Sequence, residues 1–221
     1  MSTTVTTQNQ KGFSIVELTI AMTLTLIIAG ASATLLSQSF RMRSREDKRS
    51  DAIADAQRAL NIVSREIANS GFGLLDNGIV PGDTNSNSIR IRANLNAYTL
   101  EPGSSGVTDP DEDIKYLLYV DEAANRRYLV RLDAEIAKVD RTRATTVLAN
   151  RLDLFNLEFF DGNGAPIVAN TAAVVNAWKV RITVGVVLPE DGIKNTPGYQ
   201  PPSSVRLISD VVLRNASQIT Y

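Results

Sequence analysis

The block Lys11-Gly12-Phe13-Ser14-Ile15-Val16-Glu17-Leu18 sets a single carboxylate, Glu17, at the mouth of an apolar stretch that carries no other charge as far as Phe40. An ionised side chain in a membrane segment costs roughly 2.5–3.5 kcal/mol at the helix centre, less near an end, and usually has a partner. The chemistry open to Glu17 is therefore ion pairing. Elsewhere the chain is poor in reactive groups. It has no histidine and no cysteine, which removes the commonest general base and metal ligand along with thiolate nucleophiles, thiolate zinc sites and disulfides. No catalytic triad, phosphate-binding loop or paired-carboxylate constellation stands out among its 24 acidic residues. These residues predict no enzyme.

Two acidic loops have part of a calcium-ligand spacing. Asp83-Thr84-Asn85-Ser86-Asn87 alternates oxygen ligands through Asp83 and Asn85, and Asp109, Asp111 and Asp113 alternate in the second loop. An EF-hand loop also needs Gly at its sixth position and an acidic residue at its twelfth. The first loop has Ser88 and Asn94 there, and the second has Ile114 and Val120. Solvated surface loops account for both better, and no cofactor is expected apart from that calcium option. The basic run Arg41, Arg43, Arg45, Lys48 and Arg49 suits lipid headgroups, acidic patches on a neighbour, or plain solvent. Tyr116, Tyr119, Tyr128 and Trp178 suit an aromatic-ligand platform or, more simply, sheet packing. The formal charge is −1, about −2 without Lys11, and no strongly basic domain predicts a nucleic-acid partner.

The N-terminal block resembles the class III signal of type IV prepilins and type II secretion pseudopilins. That resemblance implies that residues 1–12 are a leader and that prepilin peptidase cuts after Gly12. It also implies N-methylation of the new terminus, Phe13, and an assembly role for Glu17, the fifth mature residue. The leader is polar and precedes the apolar region, unlike a Sec-type signal peptide. Electrostatics gives Glu17 a reason to be there. A cut at Gly12–Phe13 leaves an ammonium at the positive end of a helix dipole, and a carboxylate in the first turn offsets both charges. The i+4 spacing puts Glu17 on the same helix face as Phe13. At ~4 Å and an effective dielectric near 20, the attraction is about 4 kcal/mol before desolvation. The amine is either its own or a neighbouring subunit's, and the resemblance favours the neighbour's.

The elements that must position these residues begin with one helix. Leu18–Phe40 lacks charge and proline, and about twenty such residues cross a ~30 Å hydrocarbon core. Ala29, Ala33 and Ser37, with Gly30 and Thr34, give the span small residues at a spacing that permits close helix approach. Beyond it, Ile53, Ala56, Leu60, Val63 and Ile67 recur at the spacing of one buried helix face, and Gly71 reads as a C′ residue. Phe13–Ser70 is thus expected as one helix, roughly 87 Å long if continuous. From Phe72 the period becomes 2. Strands are expected at Ile89–Ile91, at Ile114–Val120 and Tyr128–Leu132 as a hairpin, at Arg151–Phe160 with a bulge near Phe155, at Trp178–Leu188 and at Val205–Leu213. Tyr128, Val130 and Leu132 are expected to share one face. The fold class is α+β, a long N-terminal helix packed on an antiparallel β-sheet head. The divisions are 1–12 leader, 13–40 transmembrane assembly helix, 41–70 amphipathic continuation and 71–221 globular head.

A second, looser resemblance covers Ala59–Phe72, Leu157–Gly164 and Leu213-Arg214-Asn215, which are similar to PilW-type minor pilins, the first of them also to J-type pseudopilins. Together these imply a minor pilin or pseudopilin, accessory or tip-forming, of a type IV pilus or a type II secretion pseudopilus. Its implied partners are prepilin peptidase, other major and minor pilins or pseudopilins, the inner-membrane assembly platform and the lipid bilayer. The head would be exported from a single-pass inner-membrane form before assembly. The basic run after the span points the other way, toward a cytoplasmic C-terminus; the leader and Glu17 outweigh it. The rival readings are a membrane-anchored β-rich binding or adhesion module outside any filament, and a tethered hydrolase with a deep polar pocket.

Overall fold

A computed structural model describes residues 12–97, 106–123, 126–150, 152–188, 190, 192–196 and 199–216. Most of the leader, residues 1–11, therefore lies outside the described residues. The chain opens in an unbroken helix, α1 (Ile15–Ala68), of 54 residues, or ~80 Å. It begins two residues after Phe13 because Ser14 is extended and serves as N-cap, and it ends with Asn69 as C-cap. The helix runs through Gly30 without interruption.

The two halves of α1 meet different surroundings. Every residue from Gly12 to Ser37 is exposed. An 18-residue window here reaches a mean hydropathy of 1.9 with none of it buried, long and apolar enough to cross a membrane. The threonines that dilute this stretch turn their hydroxyls onto the helix's own backbone. Thr19 donates to the Val16 carbonyl at 2.9 Å, Thr25 to Ala21 at 2.7 Å and Thr34 to Ala31 at 2.7 Å. Their polar groups are satisfied internally, leaving methyls outward. In the second half, Ala52, Ala56, Ala59, Leu60, Val63 and Ile67 are buried. The expected stripe holds, with Ala52 replacing the half-buried Ile53.

The head contains two four-stranded antiparallel sheets rather than one. The first is a meander of β1 (Ser88–Arg92), β2 (Asp113–Asp121), β3 (Arg126–Asp133) and β4 (Thr145–Asn150), with a short α2 (Ala134–Ala137) between β3 and β4. The second contains β5 (Leu152–Phe160), β6 (Pro166–Ile167), β7 (Lys179–Leu188) and β8 (Ser203–Val212), in the order β6-β5-β7-β8. Helix α1 lies against β4 of the first sheet and β7 and β8 of the second. Phe155, Phe159, Val180, Ile182 and Val184 fill the core between them.

Three details bear on the sequence expectations. Tyr128, Val130 and Leu132 do share one face of β3, while the opposite, inward face carries Leu129 and Arg131, which pair with Leu118 and Tyr116. Arg131 can face inward because Glu66 meets it there at 3.2 Å. The bulge in β5 falls between Leu152 and Leu154, ahead of Phe155. Trp178 precedes β7 and is partly exposed.

Gly71 and Gly78 hold the turn from helix to sheet. Gly71 does not act as C′, since Asn69 is the cap and the Gly71 N–H donates to the Arg92 carbonyl at 2.8 Å. Both have positive φ, +76° and +73°. A Cβ on Gly78 would lie 2.2 Å from the Arg92 oxygen and 2.3 Å from the Gly71 nitrogen. Behind them, Asn77 donates to the Val174 and Ala177 carbonyls and accepts from Ile79. The closing segment completes the helix end, where Arg214 N–H donates to the Ala68 carbonyl at 3.0 Å and Asn215 to Ser70 at 3.0 Å. These donors take up carbonyls that a helix terminus leaves unpaired. Gly78→Ala should destabilise the head by more than about 2 kcal/mol, whereas Gly162→Ala should stay within about 0.5 kcal/mol, because nothing lies within 4 Å of a Cβ there. Thermal melts of the two variants in detergent would measure both.

Candidate functional site

The N-terminal block has an open geometry. Gly12, Phe13 and Ser14 precede the first helical residue, all three are exposed, and Phe13 is 90% exposed. A Cβ on Gly12 would meet nothing within 4 Å. The Gly12–Phe13 bond thus lies in non-helical backbone, free of the body of the protein.

Glu17 has a local partner. Its Oε2 accepts from the Ser14 N–H at 3.2 Å, and the Ser14 hydroxyl accepts from the Val16 N–H at 3.3 Å. This reciprocal arrangement is a capping box, in which two unpaired donors of the first turn are satisfied at once. Ser14 escaped the sequence reading, although Ser14-Ile15-Val16-Glu17 carries the Ser-x-x-Glu signal for this motif. Before any cut, Glu17 therefore stabilises the start of α1. After a cut, the same carboxylate remains in the first turn beside the new terminus.

The acidic positions in the calcium candidate loops meet side-chain cations and backbone or amide donors. Asp83 and Asp113 converge on Arg90, whose Nη1 lies 2.6 Å from Asp83 and whose Nε lies 2.7 Å from Asp113. Lys115 adds a contact to Asp83 at 2.8 Å, and Arg92 one to Asp113 at 3.0 Å. Asp111 pairs with Arg131 at 2.6 Å. Asp109 accepts from the Asn96 side chain, and Asn85 from the Asn87 N–H. Lys115 first, then Arg90, holds the Asp83 carboxyl below its ordinary value. Burial opposes ionisation of Asp113, but Arg90 and Arg92 outweigh it and hold its carboxyl low as well. Among the described residues no group of three or more acidic side chains is placed to hold a metal ion.

Sequence reasoning also missed two buried carboxylates. Glu112 accepts from the backbone N–H groups of Leu95, Thr108 and Asp109. Asp133 accepts from Glu135 and Ile136, capping α2, and from Asp111. Both tie loops to strand ends. The aromatic candidates do not assemble. Tyr116 is fully buried, its hydroxyl on Glu66; burial first, then the Glu66 charge, raises its pKa. Tyr119 and Tyr128 face each other across β2 and β3, while Trp178 belongs to the second sheet's end.

Residues 7–33 match the family model described as the prokaryotic N-terminal methylation motif. The chain carries a type IV prepilin-like N-terminus. The methylation motif takes in Gly12, Phe13, Ser14 and Glu17 and extends into the exposed half of α1. It supports a pilin-like precursor, a substrate for prepilin peptidase that assembles with other pilins. No curated protein matches the chain.

The Arg90 cluster generates a pH prediction. Carboxyls depressed in the fold contribute stability above their unfolded pKa, near 3.9, that is lost as pH falls through the lower folded values. The melting temperature should therefore drop below about pH 4 and drop less in Asp113→Asn. That variant should cost about 2–4 kcal/mol at neutral pH, because Asp113 is 3% exposed and its loss strands part of the arginine charge. Identical acid profiles for the two proteins would contradict this assignment.

Proposed function

We propose that this chain is a minor pilin or pseudopilin, a non-enzymatic structural subunit of a type IV filament or type II secretion pseudopilus. The observation that carries the reading is the methylation motif, set at the start of a helix whose first half is exposed and has no partner among the described residues. Prepilin peptidase cuts the exposed Gly12–Phe13 bond, and Phe13 is then methylated. The precursor is stored with Leu18–Phe40 across the inner membrane and its head exported. Assembly moves the apolar half of α1 from lipid into a bundle of equivalent helices. The segment's small residues at Ala29, Ala33 and Ser37 favour that exchange. Glu17 pairs with the N-terminal ammonium of the preceding subunit. The second half of α1 and the two sheets make the subunit-specific surface, in an accessory or tip position like that of PilW-type subunits.

The capping box separates assembly from simple helix stability. Ser14→Ala removes the hydroxyl half of the cap, about 1 kcal/mol, yet keeps the carboxylate. Glu17→Ala removes both the cap's other half and the ion pair. Both variants should insert in the membrane and be cut. Only Glu17→Ala should lose incorporation into filaments, read by immunoblot of sheared fibres against the membrane fraction. Incorporation of Glu17→Ala at the wild-type level would overturn the proposal and leave a membrane-anchored binding module.

A further inference from the structure

The described residues just before β8 return to α1 a little beyond its uncharged stretch. Tyr199, Gln200, Pro201, Pro202 and Ser203 face Gln38, Met42, Arg45, Glu46 and Arg49 across a cleft of ~460 Å³. Gln38 belongs to the last turns of the uncharged stretch. The head therefore meets α1 within a few residues of Phe40.

Two guanidinium groups line this cleft with donors to spare. Arg45 is 9% exposed, and one of its terminal nitrogens donates to the Pro201 carbonyl. Its other terminal nitrogen, Nη1, and the Nε of Arg49 are buried and meet no hydrogen-bond partner among the described residues. Arg49 also pairs loosely with Glu46, at 3.7 Å. A buried cationic donor without a partner costs on the order of 1–3 kcal/mol or more, so an anion in the cleft would relieve both groups.

The register of α1 says which anion. Arg45 lies five residues beyond Phe40, about 7–8 Å along the helix axis. The headgroup layer on each side of a bilayer is about 5–8 Å deep. Arg49 lies nine residues beyond Phe40, about 13–14 Å along the axis, and because helical side chains lean toward the N-terminus its long side chain can reach back toward that layer. Met42, Pro201 and Pro202 supply apolar wall beside them.

We infer that this cleft holds the phosphate of an anionic lipid headgroup, with Arg45 Nη1 and Arg49 Nε as its donors. The lipid seats the head against the membrane while the subunit is stored, and it must be released when the helix leaves the bilayer. The inference rests on the membrane-stored form proposed above.

The test uses the full chain in nanodiscs of equal parts phosphatidylglycerol and phosphatidylcholine, with lipid retained after detergent extraction weighed by native mass spectrometry. Phosphatidylglycerol should be retained over phosphatidylcholine. Arg49→Gln should reduce that retention about fivefold, the effect of one basic residue near an anionic surface. Arg58→Gln, on an exposed face beside Asp55, should leave it unchanged. Arg45→Gln also breaks the contact with Pro201, so Arg49→Gln carries the test. Equal retention of the two lipids, or an Arg49→Gln protein that holds lipid like the wild type, would overturn the site. So would displacement of the lipid by millimolar inorganic phosphate, or a second copy of the chain in place of lipid. A chain that fails to enter the nanodisc would overturn the membrane-stored form itself.

Discussion

One helix passes through two different solvents, and the rest of the molecule follows from that. The second half of α1 buries a stripe of alanine, leucine, valine and isoleucine against the sheets. The first half exposes Leu18, Ile20, Leu24, Leu26, Ile27, Ile28, Leu35 and Leu36 on all sides. A contiguous apolar surface of that size is not left to water in a soluble protein, and no part of the described head covers it. Lipid or other helices must. Both satisfy the same surface. The internal hydrogen bonds of Thr19, Thr23, Thr25 and Thr34 make that surface drier than its composition suggests.

A single carboxylate stands at the start of that helix. Glu17 completes the cap at Ser14, so the helix start is stable while the leader is attached. Cutting at Gly12 creates a positive terminus one residue ahead of that cap. A carboxylate in the first turn offsets both that terminal charge and the positive end of the helix dipole. Far from it, the Glu66–Tyr116–Arg131 contact ties the same helix to the first sheet.

Much of this was legible in the residues because strong periodic signals survive tertiary context. The stripe at Ala56, Leu60, Val63 and Ile67 and the alternation of Val180, Ile182, Val184 and Val186 are buried as their spacing requires. The rest was not legible, for physical reasons. Thr145–Asn150 is a strand with only Ala149 buried, so no apolar alternation announced it. On β3, patterning sends Arg131 to solvent, but Glu66 draws it inward. Asp83 and Asp113 carry part of a calcium-ligand spacing, and spacing along the chain cannot show that Arg90 stands between them. Long-range charge pairing decided each of the last two, and a single sequence carries no register for it.

The central claim is that the Gly12–Phe13 bond is cut and that assembly starts from the new terminus. The most direct measurement is the intact mass and N-terminal sequence of the membrane-extracted protein, from cells with and without prepilin peptidase. A chain beginning at methylated Phe13 in the first case, and uncut in the second, is the predicted result. A chain that keeps its leader in both would contradict the account and reduce α1 to a plain anchor.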